Sequence, residues 1–285
     1  MNDRHASMAS RIRALLAIPP GESLPNDTGQ LVHDLLGLLE LGEVRAAERA
    51  DDGTWHAVPW VKQGILLSFR AGRIVEHAPR GGGGFVYLDK DTLPVRLLSP
   101  ADGVRTVPGG SSIRRGAFLG TGVVCMPPMY INVGAWVGAG SMVDSHALVG
   151  SCAQVGERVH LSAAAQIGGV LEPINSTPVV IEDDVIVGGN CGVYEGTVVR
   201  EKAVLGAGVI LTRGTPVHDL VREKVYRASA DAPLEIPAGA VVVPGARAVK
   251  AKWGADHGLS LQTPIIVKYR DARTDLATAL EGWLR

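Results

Sequence analysis

Aromatic residues make up only 5% of the 285 positions, and cysteine occurs three times. None of Cys125, Cys152 and Cys191 belongs to a CxxC pair, so no disulfide framework is expected, which fits a reducing compartment. Neither sign of charge is in surplus, with 28 Lys and Arg against 29 Asp and Glu. Such a balance supplies no field to hold nucleic acid or an anionic membrane surface. No apolar run approaches a membrane span. The N-terminus, MNDRHASMASRIRALL, has no apolar stretch followed by a small-residue cleavage site. The expectation is a cytoplasmic chain, long enough for a large core and more than one domain.

Glycine, in contrast, is abundant at 36 residues, and an aliphatic residue recurs every sixth position. The first run is Ile113, Leu119, Cys125, Ile131, Val137, Val143, Val149, Val155, Leu161 and Ile167. The second is Ile181, Val187, Val193, Val199, Leu205, Leu211 and Val217. Four residues after each stands a small or short-branched one, such as Ala117, Ala135, Ser141, Ala147, Ala165, Cys191 and Ala203, with Met129 as the exception. A period of six fits neither an amphipathic helix nor an alternating strand. It fits a mainly β fold, the parallel β-helix of hexapeptide repeats, whose short strands form flat faces and turn at each corner. Spacing does not give the hand of the coil. Such repeats resemble the left-handed, three-sided β-helix of the hexapeptide acyltransferases, and the left hand is taken from that resemblance.

Around this coil the chain divides into an N-terminal, mostly helical α/β domain over 1–104, the coil over 105–218, and a small C-terminal domain over 219–285. Helical spacing occurs at 6–17 and 28–41, and a third helix opens at Pro59 in its first turn. Two strand-like runs flank Asp51-Asp52-Gly53, and two more, GAVVVP and TPIIVKY, precede a last helix at 274–284. Gly81 to Gly84 lack the Lys-Ser/Thr that a phosphate loop requires and read as a surface loop. The beat breaks between Ile167 and Ile181, where an extruded loop over 168–180 is expected, and loops on rigid scaffolds often carry binding.

The core of such a coil is packed, so chemistry must sit outside it. Asp144 directly follows Val143, and Glu195 lies two after Val193. Two carboxylates in one cleft can take different protonation states and share acid–base work. They share a face only if 168–180 counts as three repeats with four residues deleted. If that stretch is one or two repeats with extra residues, they can meet only across an interface, as cyclic symmetry permits. His146, His160 and His218 are rival bases with no recognisable metal spacing, and no metal is predicted.

MVDSHALVGSCAQVGERVHLS and QIGGVLEP closely resemble the bacterial tetrahydrodipicolinate N-succinyltransferases of lysine and diaminopimelate synthesis. The likeness extends to RAAERADDGTWHAVPWVKQGILLSF and to IPAGAVVVPG with TPIIVKYRDARTD, nearly the whole chain. The resemblance implies a homotrimer with active sites between subunits, and transfer of succinyl from succinyl-coenzyme A to ring-opened tetrahydrodipicolinate. It implies that Asp144 and Glu195 are catalytic and meet across the interface, Asp144 also contacting the acceptor. Arg105 matches an arginine that binds an acceptor carboxylate, a task suited to bidentate hydrogen bonds. Lys250, Lys252 and Lys268 are candidate phosphate partners for coenzyme A. The sequence departs from the family at His146, SAAAQIGG and GGNCGVYEG. The last could lie near the acyl chain and bears on donor choice. An N-acetyltransferase is therefore a rival reading, and a non-catalytic scaffold a second. The retention of Asp144, Glu195 and Arg105 speaks against the scaffold.

Overall fold

Each inward aliphatic residue ends a two-residue strand, and every strand lies parallel to the one three steps, or one turn of the coil, further on. The computed structural model describes residues 3–77 and 86–271. Val143, for example, registers with Cys125 below and Leu161 above. Three parallel sheets result. The first face carries Ile113, Ile131, Val149, Ile167, Val193 and Leu211 inward. The second carries Leu119, Val137, Val155, Ile181, Val199 and Ile236. The third starts at Arg105–Thr106 and runs through Cys125, Val143, Leu161, Val187, Leu205 and Val242. These inward residues are buried together with the small companions Ala117, Ala135, Ala147, Ala165, Cys191 and Ala203. The interior has room for one aliphatic side chain per strand and something short beside it.

The corners obey a rule of their own. The third residue after the inward one is left-handed, as at Gly134, His146, Ala164, Asn190 and Lys202. At the corner after Val193 a left-handed residue other than glycine comes one position early, Glu195 at φ 54°, and is followed by Gly196 at φ 74°.

The extruded stretch occupies a single step with eight extra residues, because Ile167 ends a strand of the first face and Ile181 one of the second. Val217, counted above as the next beat, does not join the coil. It pairs antiparallel with Tyr226. In each step the residue before the inward one donates its N–H to a carbonyl of the next turn, as Met142 does to Val159 O and Val198 to Leu234 O. The carbonyls stacked on Val198 and Arg200 come from Leu234 and Ile236, so that place above Val199 is already filled. Pro216, with no N–H to give, could carry no further turn above itself. The next strand on the second face is Glu235–Ile236.

Ahead of the coil come α1 (Asp3–Leu16), α2 (Thr28–Glu40), a hairpin of β1 (Ala47–Arg49) and β2 (Trp55–Ala57), and α3 (Pro59–Ala71). The helices share a core of Ile12, Leu35, Leu36, Ile65 and Leu67 that continues onto Val133 and Cys152 at the corner between the first and second faces. Beyond the coil, strands Ala240–Ala248 and Ser260–Tyr269 form a long hairpin with a short helix, α4 (Lys252–Asp256), near its tip. The expected last helix and Gly81 to Gly84 lie outside the described residues. All three cysteines are free and buried. Among the described residues no helix is long and apolar enough to cross a membrane.

Candidate active site

Asp144 leaves the third face at its corner with the first, and Glu195 leaves the first face at its corner with the second. The two acids therefore stand at opposite edges of one face, about two turns apart, and a single chain does not bring them together. Asp144 is half-buried, and its Oδ1 accepts from the N–H of Ser145 at 2.7 Å. Glu195 is exposed, and its Oε2 accepts from the N–H of Arg213 at 2.8 Å.

Arg105 begins the third face and registers with Val124, which registers in turn with Met142. It thus shares the face from which Asp144 emerges, two turns below, roughly 10 Å at ~4.8 Å per turn. Its guanidinium is exposed and has no ion-pair partner among the described residues. The lysines divide. Lys250 and Lys252 stand near the tip of the C-terminal hairpin, Lys252 bridged to Asp256 at 3.2 Å. Lys268 is paired with Val241 at its base and bridged to Asp271 at 3.6 Å. At about 3.3 Å per residue, tip and base are roughly 20 Å apart, so the three do not converge on one phosphate.

The histidines do not gather. His146 is exposed on the corner of Asp144, and its N–H donates to Pro128 O. His160 lies on the third face beside Met142, and His218 lies beyond the coil, paired with Ile265. Among the described residues no group of three or more His, Cys, Asp or Glu is placed to hold a metal ion.

Glu195 lines a groove of about 900 Å³. One wall is the extruded stretch, with Glu172, Asn175 and Thr177, and the other is Arg213 with the segment Ala230–Pro233. Both walls are pinned by cations onto backbone carbonyls. Arg213 donates through Nη2 to Ser229 O and to Ala230 O, the latter at 3.1 Å. Lys62 of α3, fully buried, donates through Nζ to Pro173 O at 3.3 Å and Ser176 O at 2.6 Å. The floor includes Tyr194, whose ring lies across two glycines. A Cβ at Gly192 would meet the ring at 2.4 Å, and one at Gly168 would meet it at 2.8 Å. Lys62, Arg213 and Tyr194 are not among the residues picked out from sequence. One signal was available: Lys62 is a lone charge on a helix face otherwise made of Val61, Ile65 and Ser68, all buried.

Six-residue steps wound into parallel turns, an acid at each of two edges and a groove beside one of them define a hexapeptide-repeat transferase. Two family profiles match: "Tetrahydrodipicolinate N-succinyltransferase N-terminal" over residues 13–71 and "Hexapeptide repeat of succinyl-transferase" over 178–213. A 2,3,4,5-tetrahydropyridine-2,6-dicarboxylate N-succinyltransferase of Polynucleobacter asymbioticus is 42% identical over 269 residues, covering 93% of this chain and 92% of its own. One from Bradyrhizobium diazoefficiens is 40% identical, covering 92% of each chain. The chain belongs to the 2,3,4,5-tetrahydropyridine-2,6-dicarboxylate N-succinyltransferase family. Among solved structures it is similar to a hexapeptide transferase family protein from Anaplasma phagocytophilum (13% identity, 64% of this chain and 84% of that one, TM-score 0.43). It is also similar to a hexapeptide-repeat acetyltransferase of Vibrio cholerae complexed with acetyl coenzyme A (17% identity, 43% and 66%, TM-score 0.30).

Proposed function

We propose that the protein is a cytoplasmic acyltransferase that moves succinyl from succinyl-coenzyme A to the amino nitrogen of tetrahydrodipicolinate, taken as 2-amino-6-oxopimelate, in lysine and diaminopimelate synthesis. It works as a homotrimer of left-handed coils, with each site shared between two chains. The observation that carries this reading is the position of the two acids at opposite edges of the first face. If that face turns toward a threefold axis, the Asp144 edge of each chain abuts the Glu195 edge of its neighbour. The outward residues Tyr130, Leu148, Gln166 and Ile210 of that face are only half-buried in the single chain, which suits a face that meets another copy.

In the shared cleft Arg105 holds an acceptor carboxylate, and Asp144 receives the proton of the attacking amine. The nitrogen lone pair adds to the thioester carbonyl carbon. The C–N bond forms, the C–S bond breaks and coenzyme A departs as its thiol, the sulfur gaining the proton the nitrogen lost. Glu195, steadied by the N–H of Arg213, serves that proton's passage from the neighbour's edge. Lys250 and Lys252 hold coenzyme A phosphates at the hairpin tip, and Lys268 contacts a different part of the molecule.

The test is thiol release by the purified protein with succinyl- or acetyl-coenzyme A, each with and without the acceptor. Acceptor-dependent release from succinyl-coenzyme A is expected. A preference for acetyl-coenzyme A would reassign the donor, and no release from either would leave a scaffold.

A further inference from the structure

We propose that Lys62 is a positioning residue, which fixes the extruded stretch from α3 and thereby sets how the groove beside Glu195 grips its ligand. The inference rests on reading that groove as part of the active site. Val170 and Val179 anchor the two ends of the stretch in the coil's core. Between them, its hydrogen bonds to the N-terminal elements among the described residues are the two from Lys62 and a weaker one from Thr177 Oγ1 to Trp55 O at 3.3 Å, while Leu171 packs on the helical core. Glu172, Asn175 and Thr177 line the groove together with Pro173 and Ser176, whose carbonyls Lys62 holds.

The position would otherwise suit an aliphatic side chain. Lys62 is fully buried on a helix whose Val61 and Ile65 are buried too, and no carboxylate pairs with it among the described residues. Burial pushes its ammonium below the usual lysine range. An unpaired charge on an apolar helix face is unfavourable unless hydrogen bonds compensate it, and the compensation here comes entirely from the groove wall. Lys62 is thus the polar link from the helix core to the groove wall, beside the apolar contact of Leu171.

Lys62→Met, which keeps the stem and removes the donors, tests this. Amide hydrogen exchange at 172–177 is expected to quicken about tenfold while the coil's amides keep their rates. The KM for acceptor or donor should rise about tenfold with kcat within roughly threefold. Lys62→Gln, which retains an N–H donor, should recover most of both effects, and it replaces the Met variant should that one not fold. A role confined to stability would lower the melting temperature and leave both KM values unchanged well below it, and that result overturns the proposal. Unchanged exchange at 172–177 overturns it too. If the unaltered protein transfers no succinyl, the proposed function falls by itself, and the exchange measurement still decides whether Lys62 holds the wall.

Discussion

A left-handed backbone at a residue other than glycine costs roughly 1–3 kcal/mol and tends to be kept where it serves a site. Several corners of this coil meet that cost at the regular third position, as at His146, Ala164 and Asn190, whereas Glu195 meets it one position early, with glycine at the third. The early turn re-aims the glutamate so that the N–H of Arg213 can hold its carboxylate. Asp144→Asn and Glu195→Gln should each lower turnover by about 10²–10⁴-fold, measured by thiol release, with the oligomer intact by light scattering. His146→Ala should cost far less, and an equal loss would make the imidazole the better candidate for the base. The cysteines give a second outcome at this scale. Burial pushes the thiols of Cys125 and Cys152 up to about 12, so neither forms thiolate in the neutral range. A disulfide reagent should titrate no thiol of the native protein between pH 7 and 9, and all three once denaturant unfolds it.

At the scale of the single turn, stability resides in one inward side chain. Leu161→Ala removes a fully buried leucine from the packed interior of the coil. The expected loss is about 2–5 kcal/mol by denaturant unfolding. The inward positions were legible in sequence because each must be aliphatic and has a small companion. The three helices were legible through their spacing and Pro59. Two features were not. The phase across 168–180 depends on how many steps the extra residues represent, which the count of fourteen between Ile167 and Ile181 leaves open. The departure after Leu211 was masked because Val217 keeps both spacing and burial. Of the candidate site, Asp144 and Glu195 were visible beside the beat and, with Arg105, through resemblance, and the wall at 168–180 through the broken beat. The cations that pin the walls were not, because Lys62 and Arg213 act on backbone carbonyls, and a carbonyl leaves no trace in residue type.

At the scale of the whole molecule, the separation of the acids within one chain makes a shared site testable by mixing. Asp144→Asn and Glu195→Gln proteins, each nearly inactive alone, should regain activity when unfolded and reassembled together. With random threefold assembly about a quarter of the sites would receive an intact aspartate from one chain and an intact glutamate from its neighbour. Recovery near that fraction supports the shared cleft, and a mixture that stays inactive removes it.

Because every step turns the chain by a third of a revolution, the sequence distance between Asp144 and Glu195 acts as a compass setting. Excising six residues between them would swing the glutamate's bearing onto a neighbouring side of the prism. Excising eighteen would keep its bearing and only shorten the column by one storey. Natural or engineered length changes in this interval should therefore come in whole revolutions, unless they are taken up by the outward bulge at 168–180, which alters length without rotating anything above it.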